Sequence, residues 1–170
     1  MDWFIYATLL PILKKYNESL AIGYFGLRII GAGFLFVGIG SLLLLLWLSQ
    51  SFTSADQVNS SYFQTTGELL RLGRDILNHI AMILPWSLGG VILYYCLFKM
   101  RLVPRWMSIW GIVGSALTLL ATLLLMLDFI KIVTPVYFIL NTPTALFELS
   151  LALFLIFRGF NPIDVNSNEK

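Results

Sequence analysis

From residue 20 onward the chain alternates between long apolar runs and short clusters of charge. The runs cover about 20–48, 76–98, 107–127 and 135–157. Each reaches or exceeds the ~20 residues that an α-helix needs to cross a bilayer. The pattern predicts an all-α, polytopic transmembrane helical bundle with four full spans. Ahead of them, Met1–Leu13 (MDWFIYATLLPIL) is apolar but too short to span and carries Pro11 near its end. It is expected to be a short N-terminal apolar helix, lying at the interface or forming the tail of a longer one. It does not read as a signal peptide, because Asp2 stands where a basic region belongs and Lys14 and Lys15 follow the apolar stretch.

Lys14–Glu18 is a polar turn in which Asn17 or Ser19 can cap the first span by accepting hydrogen bonds from its free amides. That span carries Gly23, Gly26, Gly31, Gly33, Gly38 and Gly40, which let a neighbouring backbone approach closely, so tight packing is expected along it. Trp47 near its end suits the aromatic belt. Residues 49–75 are expected to form an external loop, because SQSFTSADQVNSSYFQTT offers no apolar face to bury. Within it, Gly67–Asn78 regains helical periodicity as an amphipathic run-in to the second span. Pro85 removes a backbone hydrogen bond there and should bend the helix. The third span sets Gly111, Gly114, Ser115, Thr118 and Thr122 on one face, which predicts a packing face. The fourth begins near Thr134 or Val136, with Pro135 in its first turn and Pro143 inside. Arg158, Gly159 and Pro162 end it. Residues 1–160 form one transmembrane domain, and 161–170 read as a polar cytoplasmic tail.

Composition agrees with this class and narrows it. Of 170 residues 58% are hydrophobic and only 12% charged, and the mean hydropathy is +0.84, values that a water-soluble surface would not tolerate. The net charge of +2 includes no basic run, so no nucleic acid is expected as a partner. The lone Cys96 lies in an apolar run and reads as a small buried hydrophobe. Lys14, Lys15, Lys99, Arg101, Arg105 and Arg158 fall on one side of the spans; Arg71, Arg74 and Lys131 fall on the other. The richer side should be cytoplasmic.

Candidate chemistry is confined to two polar groups. Glu148 interrupts the apolar run TALFELSLALFLIF, and an unpaired charge at such a depth costs ~2.5 kcal/mol or more. Arg28 lies ten residues after Glu18 and Glu148 ten residues before Arg158, so each sits ~15 Å from the same end of its helix. An intramembrane Arg28–Glu148 pair follows, since a guanidinium can bind a carboxylate through two hydrogen bonds. The alternative is an Arg28 that snorkels to the interface and a Glu148 that is protonated. The second group is an outer-mouth cluster of Arg71, Asp75 and His79 at four-residue steps, with Asp128 at a similar level. Catalytic zinc sites usually employ three protein ligands richer in histidine, and His79 is the only histidine, so no metal is expected. No nucleophile elbow, phosphate loop or acid–base pair is present, and no catalytic residue or cofactor is expected.

Several segments together resemble a known family. They are PILKKYNESLAIGYFGLRII over 11–30, the Arg74-Asp75 pair, Tyr94-Tyr95 followed by RLVPRW over 101–106, and Phe147-Glu148 with Arg158-Gly159-Phe160-Asn161-Pro162. The chain resembles the bacterial membrane family catalogued as domain of unknown function 4386. The resemblance implies an inner-membrane, six-helix protein with a hairpin before the lysine turn, of which this chain is expected to be an N-terminally shortened member. Members often carry an acidic residue three positions after the arginine matching Arg28, where this chain has Gly31, which strengthens the need for Glu148 as a partner. Three function classes stay open. One is a non-enzymatic membrane protein whose glycine-rich first span is covered by a second copy or another membrane protein. The second is a carrier or receptor for a small or lipidic ligand that contacts Arg28 and Glu148. An enzyme with an outer-face Asp/His site is the third. The lipid bilayer is a partner in all of them.

Overall fold

The computed structural model describes residues 2–54 and 60–160, with side chains over 9–53 and 61–160. The expected tail over 161–170 and the middle of the expected loop, 55–59, lie outside the described residues. The α-helices are, in order, α1 (Asp2–Tyr16), α2 (Glu18–Ser54), α3 (Ser60–Ile76), α4 (Ile83–Met100), α5 (Arg105–Met126) and α6 (Pro135–Arg158). A π-helical turn, Leu77–Ala81, joins α3 to α4. No strand occurs among the described residues. Four stretches are long and apolar enough to cross a membrane: Glu18–Thr53, Ser61–Met100, Arg105–Met126 and Pro135–Arg158. The protein is a helical membrane protein of all-α class.

Local chemistry sets the helix ends. Asn17 Oδ1 accepts from the Leu20 amide at 3.1 Å and starts α2, so of the two candidate caps Asn17 acts. Thr134 Oγ1 accepts from the Tyr137 amide at 3.4 Å, with Pro135 in the first turn of α6. Gly159 closes that helix at φ 68°, a backbone conformation that costs glycine little.

The external loop expected over 49–75 is instead mostly helical. At 37 residues, α2 is ~55 Å long, well past the ~30 Å hydrocarbon core. Its C-terminal extension gives α3 a surface to lie on: the Phe52 and Phe63 rings meet edge to face at 5.6 Å, and Leu48 packs beside Gly67. Phe63, Thr66, Gly67, Leu70 and Gly73 form the half-buried face of α3. The apolar partner of this polar segment is thus the end of α2, which composition within 49–66 cannot reveal.

The same antiparallel register continues inward, with Gly38 against Asn78, Gly31 against Met82 and Pro85, and Gly23 against Ile92. A Cβ on Gly38 would overlap the Asn78 carboxamide oxygen. Tight packing along the first span is therefore only half of what was expected, because Gly26, Gly33 and Gly40 face open space. Gly38→Ala is expected to destabilise the protein by about 1–3 kcal/mol, as overpacking does. Adding Asn78→Ala should recover most of that loss in a thermal-denaturation double-mutant cycle, and additive losses would show that the contact is not the cause.

Helices pack in the row α2–α4–α5–α6, with α1 against α2 and α4, while α2 and α6 do not adjoin. On α5 the expected small-residue face is buried: Gly111, Gly114, Ser115, Thr118 and Thr122. A Cβ on Gly114 would come within 3.2 Å of the Thr144 backbone, and Thr118 and Thr144 share a hydroxyl hydrogen bond of 2.7 Å, so α5 and α6 approach closely. The apolar core joins Leu9 and Leu13 of α1 to Tyr24, Leu93, Leu97, Met107 and Phe147, with Leu102 and Val103 tucked in from the α4–α5 turn. Cys96 is buried there, as a small hydrophobe.

Candidate functional site

Because the α2 and α6 backbones are not neighbours, a cleft of about 350 Å³ remains between them, floored by α4 and α5. Its walls are mainly apolar. Leu35 of α2 and Met82, Ile83 and Trp86 ahead of and on α4 contribute, and Ser115, Thr118 and Asn141 add scattered hydrogen-bonding groups. Among the described residues, Glu148 is the only charged one that lines it.

Helical spacing builds this wall. Trp86, Gly90 and Tyr94 recur every four residues and so share one face of α4. Gly90 leaves room there, since a Cβ would lie 3.0 Å from Ser115 Oγ and 3.4 Å from the Tyr94 ring. Tyr94 is held by an edge-to-face contact with Phe147 at 4.7 Å, over Gly111 of α5. Phe147 in turn meets Trp110 at 5.8 Å. Tyr94 and Phe147 are 2% and 0% exposed, so the phenol has little freedom to move.

Glu148 faces this aromatic wall. Its Oε1 accepts from Trp86 Nε1 at 3.3 Å and from the Tyr94 hydroxyl at 3.5 Å. Both distances are at the long end of the hydrogen-bonding range, so the carboxylate is held loosely. Arg28 lies on the other neighbour of the same indole: its guanidinium carbon is 4.0 Å from the Trp86 ring centroid and 5.5 Å from that of Tyr24. Arg28 is 6% exposed, so it does not snorkel. Stacking a guanidinium on a desolvated indole contributes ~2 kcal/mol.

The direct Arg28–Glu148 ion pair is not formed. Among the described residues the ion pairs within 4.0 Å are Lys14–Glu18 and Arg74–Asp75. The two residues belong to helices that are not neighbours, and Trp86 of α4 touches both, the base through its ring and the acid through its N–H. The contact between them is thus indirect, and Trp86 is the residue missed by reading depth alone. Its signal in the sequence is the four-residue recurrence of Trp86, Gly90 and Tyr94.

Two members of the outer-mouth group have partners outside it. Asp75 accepts from Arg74 Nε at 3.0 Å, and His79 in the π turn instead meets Tyr137 of α6, Nδ1 to hydroxyl, at 2.8 Å. Arg71 is exposed on α3, and Asp128 is exposed beyond α5 at φ 58°. No three of His, Cys, Asp and Glu come close enough to hold a metal among the described residues. The four-residue spacing places Asp75 and His79 on one face, but their nearest partners come from Arg74 and from a different helix.

The profile of a family described as Domain of unknown function (DUF4386) matches residues 1–159 of the chain. No curated protein and no solved structure matches it.

Proposed function

The chain belongs to the DUF4386 family, and on that premise we propose that it is a non-catalytic membrane receptor or carrier for a small, largely apolar ligand held beside Glu148. The observation that supports this is a cleft between α2 and α6 with a single carboxylate in an otherwise mainly apolar wall. Ligand sites are concave and largely apolar with a few placed polar groups, and about 350 Å³ lies in the lower part of their size range. An intramembrane acid is costly, which argues that Glu148 contributes to function and not only to packing. Arg28 acts through the Trp86 ring, placing a compensating positive charge near the carboxylate without blocking it.

The enzyme alternative depended on Asp75, His79 and Asp128 converging; Asp75 and His79 are instead engaged with Arg74 and Tyr137. The distribution of basic residues argues that the 101–105 turn and the end of α6 face the cytoplasm of a bacterial inner membrane.

Native mass spectrometry of the purified chain tests the reading. The wild type is expected to carry a copurified small molecule or a lipid. Ala145→Phe, which fills the cleft from its α6 wall, should remove that mass while leaving the melting temperature close to the wild type. Equal bound mass in both would place the ligand elsewhere.

A further inference from the structure

We propose that the cleft selects an organic cation: an ammonium group on an apolar body, bound with its charge against Glu148 and flanked by Trp86 and Tyr94. This rests on the reading of the cleft as a ligand site and names the class of ligand.

Four features of the wall point the same way. First, the only formal charge that the described residues bring to it is negative. Second, Oε1 of Glu148 takes two long hydrogen bonds, and among the described residues none reaches Oε2. The carboxylate therefore has capacity for a further donor or cation that Trp86 and Tyr94 do not use. Third, those two donors are aromatic. Their ring bodies flank the carboxylate, so an alkylated ammonium drawn by the anion can pack on them without donating a directed hydrogen bond. Fourth, among the described residues no lysine or arginine lines the wall. Arg28 lies over Trp86 and is not among the lining residues.

The charged and titratable groups near Glu148 are Arg28 on α2, behind the indole, and Tyr94 on α4. Neutral polar groups come from Ser87 on α4, Ser115 and Thr118 on α5, and Asn141 and Thr144 on α6.

The remainder of the ligand follows from the other walls. Leu35, Met82, Ile83 and Ala145 offer hydrocarbon, so the body attached to the ammonium is apolar. An aminophospholipid headgroup carries the same ammonium chemistry, but its phosphate would find no Lys or Arg in the wall. The geometry therefore favours a free lipophilic amine or quaternary ammonium over a lipid headgroup.

A matched pair of probes tests this on the full chain purified in non-ionic detergent. Benzyltrimethylammonium and neopentylbenzene share shape and differ in charge. In equilibrium dialysis the cation should bind the wild type at least tenfold more tightly than its uncharged isostere. Glu148→Gln should abolish that preference by weakening the cation at least tenfold while leaving the isostere within twofold. Ala145→Phe should weaken both. Elution volume and melting temperature of both variants serve as the check on folding. Equal affinity of the two probes for the wild type, or an unchanged cation affinity in Glu148→Gln, would overturn the cation assignment while the cleft remained a ligand site. If neither probe binds, the reading of the cleft as a ligand site fails with it. Competition by phosphatidylethanolamine but not by phosphatidylglycerol would replace the free cation with a lipid headgroup.

Discussion

Glu148→Lys is expected to lower membrane accumulation of the protein severely, whereas Glu148→Gln should accumulate close to the wild type. Lysine would place a second cation near Arg28 with only the Trp86 indole between them, and would remove the acceptor used by Trp86 Nε1 and the Tyr94 hydroxyl. A lysine at the centre of a span costs ~2.5–3.5 kcal/mol on insertion scales. Each buried donor left without an acceptor adds ~1–3 kcal/mol. Against a typical stability of ~5–15 kcal/mol the total is large. Glutamine keeps an acceptor oxygen at the same place and carries no charge. Adding Arg28→Met to Glu148→Lys should restore part of the accumulation, because one of two like charges is withdrawn. The check is the abundance of each variant in the membrane fraction. Equal abundance of the Lys and Gln variants would show that Glu148 faces water or lipid headgroups and not the cleft.

The second large effect is expected at Gly111. A Cβ there would lie 2.7 and 2.8 Å from Phe147 ring atoms and 2.8 Å from the Tyr94 ring. Neither ring can retreat, since both are buried and packed on each other. Gly111→Val should therefore cost about 3 kcal/mol or more, at or beyond the upper end of ordinary overpacking. It should also displace the Tyr94 hydroxyl from Glu148, so loss of stability and loss of ligand binding are expected together. Gly26→Val supplies the contrast, because nothing lies within 4 Å of a Cβ at that position. Thermal unfolding in detergent measures both. Adding Phe147→Ala to Gly111→Val should raise the melting temperature above that of the single variant if the ring is the obstacle.

These two residues also show where a sequence suffices and where it does not. Apolar run length locates the spans because a helix satisfies its own backbone in lipid within one continuous segment, and the four long apolar helices follow from it. Short-range chemistry is equally legible: Asn17 at the start of α2, Thr134 and Pro135 at the start of α6, and Gly159 at its end each act through a neighbouring amide or their own φ. The packing face of α5 is visible in the spacing of Gly111, Gly114, Ser115, Thr118 and Thr122, though its partners are not. Depth along a helix can be counted, which is why Arg28 and Glu148 read as level. Lateral order cannot be counted. Which helix lies beside which depends on packing between residues far apart in the chain, and it is this order that puts Trp86 between the acid and the base. The helical state of 60–76 is hidden for a related reason, because its stabilising surface belongs to the extended end of α2. His79 reads as a partner of Asp75 until Tyr137 arrives from α6.

The centre of the site is the Trp86 indole, which donates to Glu148 while Arg28 lies on its face. Indole N–H resonances of the five tryptophans, observed by nitrogen-15 correlation spectroscopy, report this directly. The resonance that disappears in Trp86→Phe is expected to be the one that shifts most in Glu148→Ala and also moves in Arg28→Met, with the other four nearly unchanged. A Trp86 resonance that stays in place when Glu148 is removed would contradict the account.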